Sequence, residues 1–118
     1  MKPIFDRRGK TVAWLNGNVI VDNTNRCKAF IANDSVYNYS SKHLGVLDAG
    51  RFRDHQGDTV AYVDGAGGVG PLLPIHEIPP IPSIPPIPPI PPVPSIPPIP
   101  AIPTFDWSRY SWDQFLNR

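Results

Sequence analysis

From Ile4 to Gly67 the chain repeats one pattern of hydrophobic and polar positions, with a period of sixteen. Four units align without a gap, and they begin at Ile4, Ile20, Val36 and Phe52. In every unit the first position is apolar, the third is Asp or Asn, the sixth is Gly, Asn or Ser, and the tenth is Ala or Gly. A bulky apolar pair follows the tenth position, so the repeat is more than a chance match between two short stretches.

Each unit predicts one β-hairpin. An Asp or Asn at the third position can accept a hydrogen bond from the backbone two residues on and open a turn. Gly, Asn or Ser at the sixth position suits a residue with positive φ, and the apolar, β-branched and aromatic run that follows is typical of a strand. Because turn residues end each run, the sequence predicts an all-β fold of eight short strands in four hairpins.

The hairpins are expected to share one core, because a single hairpin cannot bury its apolar face. The small tenth positions indicate that four backbones converge where no large side chain fits; they are Ala13, Ala29, Gly45 and Ala61. This four-repeat domain is predicted to span residues 1–68, followed by a tail at 69–104 and a C-terminal anchor at 105–118.

The first and fourth units carry the motif D-x-x-G followed by V-A-[WY]-[LV]-[ND]-G, and the repeats lead into "DGAGGVG", a tail with a triplet period and a closing "FDWSRYSWDQFL". With these features the chain resembles, over essentially its whole length, the four-fold β-flower domain of bacterial proteins. The resemblance implies four hairpin petals with pseudo-four-fold symmetry, and it implies no activity. The second unit departs from the motif at "TNRCK" and the third at Gly45-Val46, which suggests irregular petals there.

The tail carries an apolar residue at every third position, here called the apolar stripe. The stripe consists of Val69, Leu72, Ile75, Ile78, Ile81, Ile84, Ile87, Ile90, Val93, Ile96, Ile99, Ile102 and Phe105. Polyproline II has three residues per turn, so this period aligns the side chains. Burying each of these side chains contributes about 1.5–3 kcal/mol of stabilisation. A contiguous apolar stripe exposed to water therefore tends to associate with another apolar surface. We therefore expect residues Ile78 to Ile102 of the stripe to form an interaction surface.

The length of the tail suggests what covers the stripe. A straight polyproline II rod over 69–104 is about 110 Å long, whereas a compact domain of this size is about 30 Å across. The domain cannot cover such a rod, so either the tail bends back or it packs against other copies. The second possibility is favoured, which makes a second copy of the chain the expected partner and a homo-oligomer the expected state.

Residues 105–118 predict a short docked helix. Ser111 and Gln114 have the spacing of a capping box, and Trp112, Phe115 and Leu116 share one face. A helix this short does not form alone in water. Trp107, Trp112 and Phe115 are therefore expected to anchor the far end of the tail, on its own domain or on another one.

Charge and hydropathy exclude several function classes. The net charge is +1, and the segment 1–68 carries nine basic against seven acidic side chains, which does not indicate nucleic-acid binding. No apolar run has the length of a membrane span. The N-terminus lacks the apolar run of a secretory signal, so the cytoplasm is the expected compartment.

No residues cluster in a pattern typical of catalysis, a cofactor or a metal. The three histidines, His43, His55 and His76, lack ligand-like spacing, and the first two are expected to be solvated in petal loops. Cys27 has no nearby histidine to act as a base. Turn capping explains the repeated carboxylates better than calcium binding does. The segment "DGAGGVG" lacks the Lys-Ser/Thr of a phosphate loop and predicts a flexible hinge.

The sequence thus predicts a non-catalytic structural or assembly module that self-associates by burying the apolar stripe. The alternative is an adaptor that presents the tail or the petal rim to a different protein or a glycan; exposed Tyr37, Tyr39 and Tyr62 grouped on one rim would favour it. Recognition by SH3 or WW domains is disfavoured, because no Lys or Arg lies between Pro71 and Trp107. An enzyme is the third possibility.

Overall fold

The computed structural model describes residues 1–118 and contains eight β-strands and one short helix. The strands are β1 (Lys2–Phe5), β2 (Thr11–Asn16), β3 (Val19–Asp22), β4 (Cys27–Ala32), β5 (Ser35–Asn38), β6 (His43–Asp48), β7 (Arg51–Arg53) and β8 (Thr59–Val63), and the helix is α1 (Trp112–Leu116). The strands form one closed antiparallel barrel in sequence order, in which β1 pairs with both β2 and β8. The predicted all-β fold of four hairpins is confirmed.

The four hairpins, β1–β2, β3–β4, β5–β6 and β7–β8, are petals 1 to 4 and share one local geometry. In petal 1, Oδ1 of Asp6 accepts hydrogen bonds from the backbone N–H groups of Arg8 and Lys10 at 2.8 and 3.0 Å. The third position does the same in the other petals. Each petal also carries a register shift typical of a β-bulge.

Petals 2 and 3 are regular, so the expectation of irregularity there is wrong. The sixth position has positive φ in every petal, and the four residues are Gly9, Asn25, Ser41 and Gly57. Asn25 and Ser41 adopt the same positive-φ conformation as the glycines. The third-position side chain accepts the same turn hydrogen bonds in these petals, which holds the loop in that conformation.

The first and tenth positions of the repeat fill the barrel interior. The residues at the first position, and the three alanines at the tenth, are all 0 % exposed. An eight-stranded barrel is just wide enough for side chains to fill it. The fourth tenth-position residue is Gly45, where an added Cβ would clash with the carbonyl oxygen of Arg53 in β7 and would lie 2.8 Å from Cε1 of Phe115. Gly45 thus leaves room for the backbone of β7 and for a ring that comes from the C-terminus.

Helix α1 supplies that ring. The Ser111 hydroxyl accepts from the Gln114 backbone N–H at 3.2 Å, and the Gln114 side chain accepts from the Ser111 N–H at 2.9 Å, which confirms the capping box. The apolar face predicted for the helix is buried, with Trp112, Phe115 and Leu116 in the core. Trp112 meets Phe52 edge-on, with ring centroids 5.3 Å apart.

The tail encircles its own barrel. The Cα atoms extend over 35 × 35 × 21 Å. A circle 35 Å across has a circumference of about 110 Å, which equals the contour length of the tail. Of the two paths considered for the tail, it takes the one that was not favoured and bends back along its own domain, because the relevant length of the domain is its circumference and not its diameter.

Candidate functional site

The tail meets the sixth position of each petal in turn. The contacts join Gly9 with Ile75, Asn25 with Ile84, Ser41 with Val93, and Gly57 with Ile102. The Asn25 and Ser41 side chains donate to the tail carbonyls at 3.0 and 2.6 Å. At Gly9 a Cβ would lie 2.8 Å from the carbonyl oxygen of Ile75, so the tail backbone rests directly on the petal backbone there. The tail therefore advances nine residues, or three polyproline turns, per petal.

Two tyrosines also hold the tail. The Tyr37 hydroxyl donates to the carbonyl of Ser95 at 2.7 Å, and the Tyr62 hydroxyl donates to that of Pro74 at 3.2 Å. Both tyrosines are buried, and Tyr39 is half-buried. These aromatic side chains therefore do not form the exposed rim that would favour an adaptor.

Arginines on β7 fasten the beginning of the tail. Arg51 donates from Nε to the carbonyl of Gly67 at 2.6 Å and from Nη1 to that of Pro71 at 3.1 Å. Arg53 donates from Nη2 to the carbonyl of Val69. The glycine-rich segment predicted to be a hinge is thus tied along β7 by three side-chain hydrogen bonds.

The far end of the tail is fixed beside β8. The Thr59 N–H donates to the carbonyl of Asp106 at 3.2 Å, and the Ser108 N–H donates to that of Thr59 at 2.8 Å. The Ser108 hydroxyl donates to the buried carboxylate of Asp54. Half-buried Trp107 forms a single bridge with Thr59. Together with the buried Trp112 and Phe115 of α1, Trp107 therefore lies on the chain's own domain.

The apolar stripe faces away from the barrel. From Leu72 to Ile102 its side chains are 85–99 % exposed, and Phe105 is 75 % exposed. The tail thus turns backbone carbonyls toward the petals and its stripe toward solvent. The predicted interaction residues Ile78, Ile81, Ile84, Ile87, Ile90, Val93, Ile96, Ile99 and Ile102 are not covered by this chain, so only another molecule can bury them.

His43 and His55 form a stacked pair linked to the C-terminus. Their ring centroids are 5.1 Å apart, with His43 Nδ1 and His55 Nε2 at 2.9 Å. Nη2 of Arg118 lies 2.7 Å from Nδ1 of His55. Guanidinium groups only donate, so Arg118 donates to His55 and His55 donates to His43, which requires two neutral imidazoles. His43 lies in β6 and is half-buried, so the expectation of a solvated loop residue is wrong for it.

The surroundings of the pair favour the neutral state. Burial, the neighbouring imidazole and Arg118 lower the pKa of His43. Burial and Arg118, with a smaller effect of Lys42, lower the pKa of His55, and the Asp54 carboxylate opposes them.

The free energy of unfolding should fall as the pH drops below 6.5, the ordinary imidazole value. The unfolded chain then binds protons that the folded pair takes up only at lower pH, so stability is lost until the pH passes the lowered folded-state pKa. Denaturant unfolding at about pH 7.5 and about pH 5.5 measures this loss of stability. Both pH values lie above the pKa values of most carboxyl groups, so the carboxylates contribute little to the difference.

His76 has the opposite effect on the pH dependence of stability, because hydrogen bonds to the Glu77 carbonyl and to Asp64 raise its pKa. The contribution of His55, including its contact with His43, is therefore the difference between the wild type and a His55→Gln variant, in which His76 is unchanged. If both proteins lose the same stability between the two pH values, the neutral state of His55 does not affect folding.

A comparison with protein-family models matches residues 2–116 to the 4-fold beta flower protein family. The chain belongs to this family. Neither the comparison with curated proteins nor that with solved structures finds a match. The family has no known catalytic activity.

The candidate catalytic and metal-binding side chains of this beta flower protein do not come together in one site. No group of three or more His, Cys, Asp or Glu residues is placed to hold a metal ion. Burial and Asp22 raise the pKa of the Cys27 thiol, opposite to what a nucleophile requires. The third-position carboxylates accept turn N–H groups. The single helix is too short to cross a lipid bilayer.

The residues that hold the tail on the beta flower were missed by the sequence analysis. They are the four sixth-position residues, the hydroxyls of Tyr37 and Tyr62, and the guanidinium groups of Arg51 and Arg53. One signal was available, since the tail at 69–104 divides evenly into nine positions per petal. That ratio has meaning only once the tail is known to run around the barrel.

Proposed function

We propose that this protein is a non-catalytic assembly module that self-associates through the apolar stripe. The observation that carries the proposal is that eleven consecutive members of the stripe are at least 85 % exposed around the barrel. Soluble monomers rarely expose contiguous apolar surface beyond a few hundred Å², and larger surfaces mark interaction sites.

The fold of the single chain does not explain the isoleucines. The prolines set φ for polyproline II, and the tail is held through carbonyls rather than through stripe side chains. Serine or alanine at the same positions would leave these hydrogen bonds intact. The period of isoleucine and valine therefore supports a role outside the chain.

The chemistry of the stripe favours a second copy as the partner. No charged residue lies between Ile78 and Phe105, so the matching surface is apolar and uncharged. The stripe of another copy has this character. Burying four such side chains would contribute about 6–12 kcal/mol, which is comparable to the roughly 4–15 kcal/mol that association costs in lost freedom.

Light scattering of the full-length chain tests the proposal. The wild type should be a monodisperse oligomer, and the triple substitution Ile84→Ser, Ile87→Ser and Ile90→Ser should shift it toward monomer, because these side chains are at least 88 % exposed. Replacing the same three residues by Val keeps an apolar stripe and should preserve the oligomer. A wild-type monomer at high concentration would defeat self-association and leave a foreign apolar partner, the adaptor alternative, as the role of the stripe.

A further inference from the structure

A cavity of about 650 Å³ lies where petal 4 meets petal 1. The loop of petal 1 contributes Arg7, the loop of petal 4 contributes Gln56 and Asp58, and the segment Phe105–Arg109 forms the remaining wall. The cavities between petals 1 and 2 and between petals 3 and 4 measure only about 290 and 280 Å³, and the polyproline tail forms a wall of each. The boundary between petals 4 and 1 therefore departs from the four-fold repeat.

The sequence of petal 4 also departs from the repeat at this boundary. The seventh position of the repeat is basic in petals 1 to 3, where it is Lys10, Arg26 and Lys42. In petal 4 it is Asp58, and the Asp58 carboxylate accepts the hydroxyl of Thr104. This hydrogen bond fixes the chain at the start of the segment that forms the cavity wall.

Phe105 lies on a fixed backbone and exposes its ring. The Thr104 N–H donates to the Gly57 carbonyl at 3.1 Å, and the Asp106 carbonyl accepts from the Thr59 N–H at 3.2 Å. The Phe105 side chain is 75 % exposed, whereas every other Phe, Tyr and Trp of the chain is buried or half-buried. A backbone that is already ordered loses little conformational freedom when a ligand packs on the ring.

The charges around the cavity balance one another. Arg7 and Arg109 contribute two positive charges, and Asp58 and Asp106 contribute two negative charges. Arg7, Gln56 and Asp106 are exposed at the cavity. A guanidinium only donates, a carboxylate only accepts, and an amide does both. The matching ligand is therefore uncharged and carries groups that donate and accept hydrogen bonds, as hydroxyl groups do.

We propose that this cavity binds a neutral pyranose sugar of about the size of a disaccharide. One face of a sugar ring presents C–H groups, which pack on the electron-rich face of an aromatic ring such as that of Phe105. The sugar hydroxyls accept from Arg7, donate to Asp106 and do both with Gln56. A volume of about 650 Å³ lies within the roughly 300–1,000 Å³ of small-molecule sites.

A nuclear magnetic resonance titration with cellobiose, lactose and maltose tests the proposal. At least one of these disaccharides should give saturable shifts at the ring of Phe105 and at the indole of Trp107, which also lines the cavity. Sorbitol has hydroxyls but no ring, and benzyl alcohol has a ring but a single hydroxyl, so each should bind at least tenfold more weakly. No saturable shift with any disaccharide, or equal affinity for either control compound, would overturn the proposal.

Two pairs of matched variants locate the site. Phe105→Ala should lower the affinity for the disaccharide at least tenfold and Phe105→Tyr should preserve it, because tyrosine keeps the ring face. Ile102→Ala removes the preceding, equally exposed member of the stripe, which does not line the cavity, and should leave the affinity unchanged. Gln56→Leu should weaken binding, whereas Ser40→Leu, at the same fifth position in petal 3, should not. Wild-type affinity in Phe105→Ala would refute the assignment.

The sugar site is independent of the proposed self-association. The eleven stripe members that carry that proposal end at Ile102, before Phe105. The triple variant Ile84→Ser, Ile87→Ser and Ile90→Ser should therefore bind the disaccharide with the affinity of the wild type, whatever its oligomeric state. Loss of sugar binding in this variant would show that the site needs a second copy and would overturn its assignment to the single chain.

Discussion

Phe115→Ala should lower the free energy of unfolding by about 3–5 kcal/mol. Phe115 is 0 % exposed, and its ring lies 5.7 Å from that of Trp112 and against Gly45. The missing side chain at Gly45 leaves space that this ring fills, and removing the ring leaves a cavity in the barrel core. A domain of this size has a stability of about 5–15 kcal/mol, so the loss is a large part of the total.

Phe105→Ala is the matched control, because it removes the same atoms from a side chain that is 75 % exposed. It should change stability by less than about 0.5 kcal/mol. Denaturant unfolding of both variants, followed by tryptophan fluorescence, measures the difference. If Phe115→Ala does not fold at all, Phe115→Leu should show a smaller loss. Equal midpoints for the two alanine variants would show that α1 does not stabilise the barrel.

Gly57→Ala should destabilise the protein by two separable effects. Gly57 has a φ of 84°, where a residue with a Cβ is strained by about 1–2 kcal/mol. The added Cβ would also clash with the carbonyl oxygen of Ile102, so the tail has to move. Overpacking of this kind typically costs a further 1–3 kcal/mol, roughly.

Gly17→Ala separates the two effects. Gly17 has a φ of 59°, and no atom lies within 4 Å of the position that an added Cβ would take, so only the backbone strain applies. The Thr104 N–H, which donates to the Gly57 carbonyl at 3.1 Å, reports on the tail. Its hydrogen exchange should speed up in Gly57→Ala and stay unchanged in Gly17→Ala. The tail is not held at this petal if the two variants have equal stability and equal exchange.

The local elements of the fold were predictable because their decisive contacts are local. The turn hydrogen bonds of Asp6 and the capping box of Ser111 and Gln114 join residues at most four positions apart. Such contacts depend on residue type and spacing, which the sequence shows directly. The same holds for the period of the stripe, since polyproline II is set residue by residue.

The contacts of the tail were not predictable in the same way. Tyr37 and Ser95 are 58 residues apart, and Asn25 and Ile84 are 59 apart. The sequence predicted the stripe but favoured other copies as the surface along which the tail runs. The sequence gives the length of the tail, but it does not show where the tail bends. The stacking of His43 on His55 also depends on the register that places petal 3 beside petal 4.

By itself the sequence determined four hairpins, a stiff tail with aligned isoleucines and a short amphipathic helix, because backbone preferences and hydrogen bonds within a few residues specify each of them. Only the tertiary structure decided that the tail circles its own barrel, turns its carbonyls inward and leaves the stripe in solvent. The physical reason is that closure of the barrel sets the circumference and the angular position of each petal, and these distances exist only after all eight strands have paired.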